Sequence, residues 1–101
     1  MYLVEILLPL SDNNGRAFDP KKLAAVREKF TAQFGGVTAF TRVPAHGSSD
    51  ASGKIVHDDI VVFEVMVATL DQGWWSDYRR TLERDFSQDE VVIRASGIER
   101  L

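Results

Sequence analysis

A chain of 101 residues with 45% hydrophobic and 27% charged residues has the make-up of one ordered domain, residues 1–101, and intrinsic disorder is excluded. The net charge of −3 and the lack of a Lys/Arg cluster leave no phosphate footprint, so nucleic acid is not an expected partner. Cysteine is absent, which excludes thiolate catalysis, cysteine-ligated clusters and disulfides.

Residues 2–10 are expected to form a strand that is apolar on both faces, as a central strand covered on two sides would be. This opening has no basic leader or small-residue cleavage site and is interrupted by Glu5 and Pro9. A signal peptide and a membrane span of about 20 apolar residues both demand more, so a cytoplasmic protein with no membrane partner is expected. "SDNNG" at 11–15 ends the strand. A first helix follows, with Asp19 as N-cap, Pro20 at the first helical position, and Phe18 and Leu23 as a hydrophobic staple. Leu23, Val26, Phe30 and Phe34 recur on one face of a 3.6-residue period, and Gly35-Gly36 supplies the left-handed stop.

"VTAFTRV" at 37–43 predicts a second strand, and the β-branched "IVVFEVMVA" at 60–68 a third. Asp71 is expected to cap a second helix, with Trp75, Tyr78, Leu82 and Phe86 forming its buried stripe. "EVVIRAS" at 90–96 predicts the last strand. The order β-α-β-β-α-β with right-handed crossovers specifies a ferredoxin-like α+β plait, a four-stranded antiparallel sheet with two helices on one face.

In such a plait the first and third strands are central. With Val4 and Ile6 toward the helices, the open face carries Leu3, Glu5 and Leu7 beside Ile60, Val62, Glu64 and Met66. That surface is too apolar to remain in water, and a homodimer through the open sheet face is the expected cover. Arg94 is expected to point the same way, and Arg42 to join from the second strand, giving an Arg–Glu–Glu–Arg row. The row reads as ion pairs inside a dimer interface, or as the polar end of a small-molecule pocket in which an arginine grips a carboxylate.

"DASG" at 50–53 suits a tight turn, and a hairpin folded there sets His46 across from His57, with Asp50 and Asp58 nearby. A metal could sit between such rings, but Ser, Gly and Asp are what any exposed hairpin uses. The favoured reading is therefore a solvated hairpin or dimer arm, with no metal and no cofactor. Without a bulge, this hairpin places Arg42 opposite Val61 and Phe40 opposite Phe63; a one-residue bulge turns Arg42 toward Glu64. Trp74 flanks the stripe of the second helix and is a candidate for stacking on a ligand.

"FGGVTAF" at 34–40, "GSSDASGKIV" at 47–56, "IVVFEVMV" at 60–67 and "FSQDEVVIRA" at 86–95 resemble a family of small bacterial ferredoxin-like α+β domains of unknown function. The resemblance implies the plait and no reaction. The expected function is a self-associating binding or interaction module without chemistry of its own. The alternative is a cofactor-independent enzyme of the dimeric α+β-barrel type, acting on a small aromatic or polyketide-like substrate with His46 or His57 as general base.

Overall fold

The structure, a computed structural model, describes residues 1–42 and 59–101, the side chains of 40–42 excepted. Their elements are β1 (Tyr2–Pro9), α1 (Pro20–Phe34), β2 (Thr38–Arg42), β3 (Ile60–Val67), α2 (Gln72–Asp85) and β4 (Val92–Gly97). The protein is a small α+β domain whose strands form one antiparallel sheet of order β2-β3-β1-β4, with β1 and β3 central as expected. No helix of the described residues is long and apolar enough to cross a membrane.

The helix boundaries follow from their caps. The Asp19 carboxylate accepts the Lys21 N–H at 2.9 Å, and Pro20 opens α1 without wasting a donor. Gly35, at φ 81°, takes the left-handed conformation that ends the helix and donates its N–H to Thr31 O. Asp71 caps α2 by accepting the Trp74 N–H at 3.0 Å. The β4 strand begins at Val92, two residues later than the sequence pattern suggests. The cause is local: the Val91 N–H donates to the Glu83 carboxylate at 2.9 Å, which ties this residue to α2 before pairing with β1 begins.

Alternation along the strands sends Val4, Ile6 and Leu8 of β1, with Val61, Phe63, Val65 and Val67 of β3, to one side. Both helices cover that side through Val26 and Phe30 of α1 and Trp75 and Leu82 of α2. Phe30 is the centre of the layer, its ring meeting Phe34, Phe63, Trp75 and Tyr78 at centroid distances of 6.0, 6.3, 5.9 and 5.4 Å. Phe18 takes an aromatic partner the helix pattern did not indicate: it meets Phe86 edge-on at 5.1 Å, linking the entry of α1 to the end of α2.

Between the helices, burial, and secondarily the negative charge of Asp85, pushes the Tyr78 phenol from 10.0 up to about 12. The native state therefore keeps its proton where the unfolded chain has lost it. The associated stability is present below pH 10 and is lost as pH rises toward 12. Ultraviolet titration should show a phenolate transition near 12 that is missing in Tyr78→Phe. A transition near 10 for this side chain would contradict its placement.

Candidate functional site

The side of the sheet away from the helices is where the open-face residues meet. The β1–β3 register pairs Leu3 with Met66, Glu5 with Glu64 and Leu7 with Val62, while β1–β4 pairs Glu5 with Arg94 and Leu7 with Val92. Directly opposed residues of an antiparallel pair share a face. One row across the sheet is thus Glu64, Glu5, Arg94, and a neighbouring row is Val62, Leu7, Val92. On this face Met66 is 51% exposed and Val92 45%, Leu3 and Leu7 are half-buried, and Val62 is fully buried.

Three members of the expected charged row, Glu64, Glu5 and Arg94, are brought together. Arg94 Nε donates to Glu5 Oε1 at 3.2 Å, with Glu5 only 18% exposed and Arg94 51%. Glu5 stands on central β1 between Glu64 of β3 and Arg94 of β4, so its carboxylate finds its counter-charge on the edge strand. Glu64, half-buried on the neighbouring central strand, has no hydrogen-bond or ion-pair partner among the described residues. Two like charges on directly opposed positions disfavour the isolated sheet, and among the described residues the Arg94 guanidinium offsets the one on Glu5.

The β2 end of the row differs from the expected Arg–Glu–Glu–Arg set. The β2–β3 register pairs Thr38 with Glu64, Phe40 with Val62 and Arg42 with Ile60. It is shifted by one residue from an unbulged hairpin turning at "DASG", which would have set Arg42 opposite Val61. Thr38, not Arg42, therefore occupies the fourth position of the row. Arg42 stands four residues along, about 13 Å away at strand rise. The turn itself, with His46, His57 and their neighbouring aspartates, lies outside the described residues.

Trp74 is not part of this face. It lies on α2 across the sheet, edge-on to Trp75 at 4.7 Å, stacked on Tyr78 at 5.2 Å and edge-on to Phe34 at 5.3 Å. The helix–helix contact thus already supplies its aromatic partners. Among the described residues no three metal-binding side chains converge. Val92 was not singled out from the sequence, although the inward Ile93 required its neighbours Val92 and Arg94 to project outward together.

No protein-family model matches the chain, and no curated protein matches it. Among solved structures, the fold is similar to that of a phage SAM lyase in complex with S-methyl-5'-thioadenosine. The similarity has a TM-score of 0.64, covers 94% of this chain and 79% of that one, and carries 14% sequence identity. At that identity it is a likeness of fold.

Proposed function

We propose that the protein is a self-associating binding module built on the ferredoxin-like plait, with its open sheet face covered by a second copy of the same chain. Read from the other edge, the strand order is β4-β1-β3-β2, the arrangement that two β-α-β units with right-handed crossovers produce. The observation that carries the self-association is the composition of the open face: exposed Met66 and Val92 beside Leu3 and Leu7, crossed by an unevenly charged row.

The charges favour a second copy as the occupant. Arg94 stands at one edge of the row, and Glu64, without an ion-pair partner among the described residues, stands two strands away. Two sheets stacked face to face about a two-fold axis over β1 place each Arg94 above Glu64 of the other copy. Every acid in the row then has a guanidinium within reach, and the apolar residues beside the row are removed from water. Hydrogen peroxide tests this directly. Met66 should oxidise several-fold more slowly in concentrated than in dilute protein, while Met1 serves as the exposed reference. Equal protection at all concentrations would argue against a covered face.

A catalytic reading has one observation in its favour, the fold likeness to the phage SAM lyase over nearly the whole chain. In that reading the space between two stacked sheets holds a sulfonium nucleoside, its cation facing Glu64 and Glu5. Incubation with S-adenosylmethionine followed by chromatography separates the two readings. The module leaves the compound at its spontaneous decay rate. An enzyme releases S-methyl-5'-thioadenosine in proportion to protein added, and Glu64→Gln abolishes the release.

A further inference from the structure

We propose that the outer edge of β4, together with the cleft between β4 and α2, docks an extended peptide segment in which a bulky apolar residue is flanked by acidic ones. Among the described residues β4 pairs with β1 on one side and no strand pairs with its other side, so half of its backbone N–H and C=O groups face outward there. The strand is exposed along nearly its whole length. Its sequence, "VIRASG", contains neither the proline nor the lysine that commonly blunts such an edge.

Immediately inside this edge lies a cleft of about 220 Å³. Trp75, Ile93, Val4 and Leu70 make its apolar lining, and the charged residues lining it are both arginines, Arg79 and Arg94. A cavity of about 150 Å³ accepts benzene, so this volume suits one phenylalanine or leucine side chain. It is smaller than the roughly 300–1,000 Å³ typical of small-molecule sites. A single anchor delivered by an added strand matches those dimensions.

The charges match as well. An added strand alternates its side chains, so an anchor entering the cleft sends its immediate neighbours toward the open face and its next neighbours toward α2. Arg94 projects on the first side and Arg79 on the second. Arg94 holds Glu5 through Nε, and Arg79 Nε stands 4.0 Å from the Glu83 carboxylate, which already accepts the Val91 N–H. The terminal nitrogens of both guanidiniums retain donors for a carboxylate. A second copy is a poorer occupant of this edge, because antiparallel pairing of two β4 strands centred on Arg94 brings its two copies side by side.

The test uses a short blocked peptide with phenylalanine at its centre and glutamates on both sides, titrated into isotopically labelled protein. Saturable amide shifts at Ile93, Arg94 and Ala95 are expected in the millimolar range or below. Arg79→Glu should weaken binding by about tenfold, and the lysine-for-glutamate peptide should bind more weakly by at least as much. Comparison of the unliganded spectra establishes that the variant is folded. Absence of shifts on β4 at millimolar peptide overturns the proposal, as does equal affinity for the lysine peptide. Intermolecular contacts between the β4 backbones of two copies in the free protein, read as nuclear Overhauser effects in mixed-label samples, also overturn it, since a second copy would then hold the edge.

Discussion

Phe30→Ala is expected to destabilise the fold by about 3–5 kcal/mol, the usual cost of emptying a buried aromatic site. Phe30 is fully buried and is the side chain through which α1 reaches both Phe63 of the sheet and Trp75 and Tyr78 of α2. The walls of the resulting cavity are themselves rings in stiff elements, which limits collapse and places the cost at the upper end. A domain of this size has about 5–15 kcal/mol in total, so the variant loses a large share of its stability. Urea unfolding followed by tryptophan fluorescence reads the loss, and Phe30→Leu, which keeps most of the volume, should lose much less. A change below about 1 kcal/mol for Phe30→Ala would contradict the central position assigned to this ring.

Glu64→Lys is expected to leave the domain folded and abolish its self-association. Within one chain the substitution replaces a like-charge pair with an opposite-charge pair, because residue 64 is directly across from Glu5. The isolated domain should therefore be no less stable. In the proposed dimer the new ammonium confronts Arg94 of the other copy, and like-charge juxtaposition at an interface costs several kcal/mol. At about 1.4 kcal/mol per factor of ten, a cost of that size weakens the dimer by at least about thirty-fold. The opposite signs of the two effects separate an interface role from a folding role, which an apolar substitution at Met66 could not do as cleanly.

The helices were legible because their ends are set by local chemistry. Asp19-Pro20, Asp71 and Gly35 each act within a turn of their own position, and the stripes Val26–Phe30 and Trp75–Leu82 declare a period of 3.6. The central strands were legible because alternation forces Glu5 and Glu64 to one side and Ile6 and Phe63 to the other. Register was not legible in the same way. A single inserted residue anywhere between Arg42 and Ile60 shifts β2 by one, and no local signal reports it. That shift pairs Arg42 with Ile60 of the open-face set rather than with Val61, as the bulged alternative allows, and leaves Thr38 opposite Glu64. The cleft beside β4 was also hidden, because Arg79 and Arg94 are fifteen residues apart and only α2 packing against the sheet brings them to one rim. The aromatic neighbours of Trp74 were hidden for the same reason, since Phe34 reaches it from the other helix.

Sedimentation velocity of the wild-type chain and Glu64→Lys, from low to high micromolar concentration, tests the open-face interface most directly. The wild type should move toward twice the 11.3 kDa chain mass as concentration rises, while the variant stays at the mass of one chain. A wild type that remains at 11.3 kDa throughout, or a variant that associates as readily, would contradict the interface.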